Sequence, residues 1–105
     1  MNKNIYIEST TFSNMNDANE VASAIITKKI AACAQIGKEI NSTYVWKSKL
    51  FSEKEIPVEF KVSINNLKKL EQELKDIHPY ECPEFTAVLA EASDDYLKWV
   101  NGSCV

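Results

Sequence analysis

The stretch KDIHPYECPEF, Lys75 to Phe85, gathers most of the side chains able to do chemistry. It holds the chain's only histidine, one of three cysteines, a tyrosine and two glutamates, with two of the three prolines between them. Imidazole, thiolate and carboxylate are the donor types that bind transition metals, and such sites need three or four of them. Near His78 only Glu81, Cys82 and Glu84 stand ready, and Pro79 and Pro83 restrict how they converge. An assembly of several chains would supply the missing donors. His78, and after it Cys82, are therefore the metal-ligand candidates. The plainer reading puts His78 at a helix C-terminus, where positive charge is favoured.

A carboxylate beside an imidazole and a phenol also suits general acid–base work. Glu81 and Glu84 would carry it. The chain offers no second histidine, no paired nucleophile and no oxyanion-hole signature, so it is read as a protein without catalytic activity. Trp46 and Tyr44 lie on one face of a strand, and with Trp99 they could line a cleft or an interface, where aromatics with a polar tip concentrate. Lys47 and Lys61 nearby would suit a small anionic ligand. The cleft candidates are thus Trp46, Lys47, Lys61, His78, Tyr80, Glu81 and Glu84.

The elements that must position these groups follow from periodicity. NIYIEST alternates, with Ile5, Ile7 and Ser9 on one face and Tyr6 and Glu8 on the other, which predicts a strand. Ala18, Val21, Ala22, Ile25, Ile26 and Ile30 recur at helical spacing, with Asn14 or Asn16 as cap. AACAQI reads as a second strand that runs on past Gly37 through INSTYVWKS. Cys33 among its alanines reads as a small core hydrophobe. A turn is predicted near Lys49 to Glu53. Ile56, Val58, Phe60, Val62 and Ile64 then alternate in the clearest strand of the chain, and Pro57 marks an edge or a bulge there. Leu67, Leu70, Leu74 and Ile77 form a second helical stripe, capped by Asn65 or Asn66 and stopped before Pro79. EFTAVLAE is a last strand. SDDYLKWV is a short helix with Ser93 as cap, and Cys104 follows on a terminus expected to fray.

The order βαββαβ plus a terminal helix, in 105 residues, predicts one α+β domain, 1–105. Its sheet would be antiparallel and four-stranded with both long helices on one face, the ferredoxin-like arrangement. The hairpin from Ile36 to Ile64 is longer than so small a domain can cover. An exposed hairpin invites pairing with another chain, so self-association through it is expected.

Composition narrows the classes. The chain is 45% hydrophobic and 26% charged with net charge −3, and its basic residues cluster no further than pairs, which excludes a nucleic-acid surface. No run approaches the roughly 20 apolar residues of a membrane span. No apolar leader is visible and the three cysteines share no CxxC spacing, so a cytoplasmic protein with reduced thiols is expected. With two glycines there is no phosphate-cradling loop.

KKIAACAQI, STYVWKSKL, DIHPYECPEF and DDYLKWV, in this order and spacing, resemble the CutA family of divalent-cation tolerance proteins over about Ile5 to Val100. The resemblance implies a ferredoxin-like fold, a homotrimer in which long hairpins pair between subunits, and an association with copper and other metal tolerance. In copper-binding proposals for the family a cysteine ends the first strand and a histidine pair precedes Pro-Tyr. The matching positions here are Thr10 and Ile77, with His78 alone retained. Ser48 stands where the family usually has glycine. A module like the trimeric PII-type regulators, holding a small ligand between subunits near Trp46, His78, Tyr80 and Glu81, is the second reading, and a trimeric scaffold for partner proteins the third.

Overall fold

The computed structural model describes residues 3–105. Its elements run β1 (Lys3–Phe12), α1 (Met15–Thr27), β2 (Cys33–Ile36), β3 (Ile40–Trp46), β4 (Lys49–Ser63), α2 (Leu67–Ile77), β5 (Thr86–Glu91) and α3 (Asp94–Ser103), with one 3₁₀ turn at Ile64–Asn66. The sheet order is β2-β4-β1-β5, every pairing antiparallel, and β3 continues beside β4 beyond the main sheet. This is the expected ferredoxin-like topology.

Alternation along each strand sorts its side chains onto two faces. On one face Phe12, Ile56, Val58, Phe60 and Val62 meet Val21, Ile25, Leu70 and Leu74 from α1 and α2. On the other, Ile5 packs with Ala32, Ala92 and Val100 under α3. The Asn14 side chain accepts the Asp17 N–H at 2.8 Å to open α1, and the Ser93 hydroxyl accepts the Tyr96 N–H to open α3.

Five details differ from the sequence reading. The strand expected to run unbroken from Cys33 to Trp46 is two strands, because Gly37 to Glu39 stand opposite only Ile56 and Pro57. Three residues facing two make a bulge, and Pro57 sits there rather than on an edge, its carbonyl taking the Gly37 N–H at 2.9 Å. The hairpin turn is Lys47–Ser48, not Lys49 to Glu53. Both residues have positive φ, 50° and 66°, the signature of a two-residue type I′ turn that normally carries Asn or Gly. Neither Asn65 nor Asn66 caps α2 through its side chain. The Asn66 amide instead donates to the Ile30 carbonyl (2.9 Å) and to Val105 (3.2 Å). That contact also corrects the frayed terminus: Val105 donates its N–H to Lys29, and Cys104 packs on the α3 core. Cys33 is half-buried rather than a core residue.

Beyond the bulge the β3–β4 hairpin leaves the body of the domain, and hairpin and body together extend 45 × 26 × 23 Å. Its two faces differ. Val45 and Leu50 lie directly opposite one another and are 66% and 74% exposed. Tyr44 and Phe51 are paired on the other face, stacked at 5.5 Å.

Candidate functional site

That second hairpin face forms one wall of a groove of about 540 Å³. Tyr44 and Trp46 from β3, and Phe51, Glu53 and Glu55 from β4, face Thr11 and Ser13 at the end of β1 and Tyr80 to Glu84 after α2. Pro79 forces the residue before it out of the helix, and His78 is extended at φ −71°, ψ 133°. This break turns the chain across the end of β1 and brings Tyr80 under the hairpin.

His78 is buried, stacked on Phe12 with ring centroids 4.3 Å apart. Its Nδ1 accepts the Tyr80 backbone N–H at 3.1 Å, and its Nε2 lies 2.9 Å from the Thr11 carbonyl. An accepting Nδ1 leaves Nε2 as the N–H donor, so the ring is the neutral Nε2–H tautomer. Burial holds the imidazole below its ordinary range, offset in part by the Thr11 carbonyl and by Asp17 and Glu55. The Tyr80 hydroxyl then donates to Glu55 Oε2 at 2.7 Å, and the Thr11 hydroxyl donates to the same oxygen at 3.0 Å. Thr11, His78, Tyr80 and Glu55 thus form a closed hydrogen-bonded ring that ties β1, the Pro79 segment and the base of the hairpin together.

Glu55 is only 9% exposed. Burial pushes its carboxyl up, but hydrogen bonds from Tyr80, Ser42 and Thr11 outweigh that and hold it below the usual range. Burial, then the hydrogen bond to Glu55 and its charge, push the Tyr80 phenol well above the usual range. Glu55 is therefore a fixed carboxylate at neutral pH.

The rest of the groove is more open. Glu81 pairs with Lys47 at 3.4 Å, and the Lys47 ammonium also lies 5.8 Å from the centre of the Trp46 ring. Glu84 accepts the Thr86 hydroxyl at 2.8 Å. Cys82 is exposed along the same lip. Of the cleft candidates, Trp46, Tyr80, Glu81 and Glu84 line the groove, Lys47 stands at its rim, and His78 supports it from beneath. Lys61 is elsewhere, hydrogen-bonded to Gln35 and 3.6 Å from Glu59 on β4. Trp99 is on α3 beside Tyr96. The lysines that suggested a small anion do not converge, and the groove they flank carries Glu53, Glu55, Glu81 and Glu84.

Phe51 and Glu53 escaped the sequence reading because a turn was placed over them, and Glu55 because the strand after that turn was begun at Ile56. With the turn at Lys47–Ser48 they fall at every second position of β4, and that alternation was the available signal. Among the described residues no three His, Cys, Asp or Glu side chains are grouped to hold a metal ion. Both His78 nitrogens are engaged, so a cation at either would displace a hydrogen bond. The groove can attract cations through its charge, but its donors do not assemble a closed coordination shell.

Comparison with known proteins agrees with the topology. The family model described as CutA1 divalent ion tolerance protein matches residues 6–103. The Divalent-cation tolerance protein CutA of Escherichia coli (strain K12 / DH10B) is 34% identical over 87 residues, 82% of this chain and 78% of that protein. CutA from Synechococcus elongatus PCC7942 superposes with TM-score 0.91 at 30% identity, covering 99% of this chain and 93% of the other. CutA1 from the psychrotrophic bacterium Shewanella sp. SIB1 gives TM-score 0.89 at 31% identity, covering 95% and 94%. With the whole fold shared and the family model spanning nearly every described residue, the chain belongs to the CutA1 divalent ion tolerance family.

Proposed function

We propose that this protein supports divalent metal-ion tolerance, copper included, as a non-catalytic cytoplasmic homotrimer that holds metal ions weakly or acts on them indirectly. The observation that carries the reading is a carboxylate-lined groove without a grouped set of metal donors. Such a groove raises the local concentration of cations through its field while leaving them largely hydrated. Family membership supports tolerance as the role. Three free cysteines suit a reducing compartment.

The trimer reading rests on unpartnered apolar surface. Val45 and Leu50 project from the hairpin face that does not line the groove, and Val88 and Leu89 are exposed on β5, an edge strand of the sheet. Pairing hairpins between subunits would cover both. Light scattering should give three times the 11.9 kDa of one chain; a single-chain mass would overturn the assembly. For the role, expression in a copper-sensitive host lacking its own family member should restore growth in elevated Cu²⁺. Unchanged sensitivity would overturn it.

A further inference from the structure

We propose that the groove also binds a small organic cation of the ammonium or guanidinium type, seated against Trp46 and the carboxylates beside it. The inference rests on reading the groove as a cation-attracting surface, and it names a ligand class that metal tolerance does not require.

The structure already displays the mode of binding. The Lys47 ammonium lies 5.8 Å from the Trp46 ring centre and 3.4 Å from a Glu81 oxygen. A cation between an aromatic face and a carboxylate gains from the ring quadrupole and from the opposite charge at once. Lys47 is tethered at the rim, so it serves only the outermost part of the groove. Deeper in, Tyr44 stacks on Phe51, with Glu53 and Glu55 also in the lining. Hydrated inorganic ions draw no benefit from these aromatic walls, whereas alkylammonium and guanidinium groups do. A volume of about 540 Å³ is that of a small-molecule site, for which roughly 300–1,000 Å³ is usual, so the occupant is a free small molecule.

Calorimetry on the full chain tests this with tetraethylammonium and putrescine as cations, inorganic phosphate as the anion and a lysine-rich peptide as the protein-borne alternative. Both organic cations should bind and phosphate should not. Trp46→Ala should weaken them roughly 3- to 30-fold, and Glu53→Gln should weaken them too. Lys47→Asn, which removes the internal competitor and suits a positive φ, should tighten them about 2- to 5-fold. Cu²⁺ titration of Trp46→Ala should match wild type. No binding of either cation, wild-type affinity in Trp46→Ala, or a peptide that binds far more tightly than the free amines would each overturn the proposal. Cu²⁺ binding without organic-cation binding overturns this proposal and leaves metal tolerance standing. The reverse result retains this site and removes the metal reading.

Discussion

The Tyr80 hydroxyl donates to Glu55 Oε2 at 2.7 Å, with the Thr11 hydroxyl on the same oxygen. Through this bond the segment after α2 is fastened to the base of a hairpin that otherwise leaves the domain. Tyr80→Phe removes the shorter of the two bonds and leaves a buried carboxylate short of a donor. Loss of about 1–3 kcal/mol is expected in urea unfolding, with the fold retained. An unchanged midpoint would show that the ring through Thr11, His78, Tyr80 and Glu55 does not brace the hairpin.

Acid should attack the same ring. The His78 imidazole is held below its ordinary value of 6.5 by burial, so folding favours its neutral form. That contribution is present above pH 6.5 and is lost as pH falls through the lowered value. Glu55, held below 4.5 by its hydroxyl donors despite burial, adds stability above pH 4.5 and loses it below. Between pH 4.5 and about 8 buried Glu8 acts with the opposite sign, so each contribution is read as a difference between wild type and variant. The stability of wild type relative to His78→Gln should fall as pH drops below 6.5, and relative to Glu55→Gln as pH drops below 4.5; pH-independent differences would contradict both assignments.

Glu8 gives the opposite sign at the alkaline end. It lies on the helix-facing side of β1 with 0% exposure and no hydrogen-bond partner for either carboxylate oxygen. Burial first, and the Glu84 charge second, raise its carboxyl to about 8. A raised carboxyl penalises the folded state progressively from pH 4.5 to about 8. Glu8→Gln should abolish this slope and gain on the order of 4 kcal/mol over wild type by pH 9. Parallel curves for the two proteins would refute a protonated buried Glu8.

The hairpin turn offers a stabilising substitution. Ser48 has φ 66°, a left-handed conformation that costs an L-residue roughly 1–2 kcal/mol and glycine almost nothing. Ser48→Gly should raise stability by about 1 kcal/mol, less what glycine loses in chain entropy. A lower melting temperature would mean that the turn does not hold this geometry.

Much of the fold was legible because apolar periodicity is long and unambiguous in α1, β4 and α2, and Asn14, Pro79 and Ser93 mark the start of α1, the end of α2 and the start of α3. The hairpin turn was not, since Lys47 and Ser48 adopt a backbone that Asn and Gly usually announce. Misplacing the turn hid Phe51 and Glu53, and with Glu55, left outside the strand begun at Ile56, the whole β4 contribution to the groove. Asn66 looked like a cap, but its amide is used across the domain at Ile30 and Val105, a partnership no local pattern encodes. Glu8 alternated like a surface residue; only the helices packed above it reveal that its face is the core. Tyr80, Glu81 and Glu84, grouped in the sequence by residue type and proline spacing, do line one groove, whereas Lys61 was grouped with them by type and stands elsewhere in the fold.

Titration of the intact protein with Cu²⁺ at low and high ionic strength bears most directly on a groove that gathers metal ions by charge without coordinating them. Binding should be weak, fall steeply as salt rises, persist in His78→Ala and diminish in the double variant Glu53→Gln, Glu81→Gln. Tight stoichiometric binding that is indifferent to salt and vanishes in His78→Ala would contradict it, and would make the histidine a true ligand.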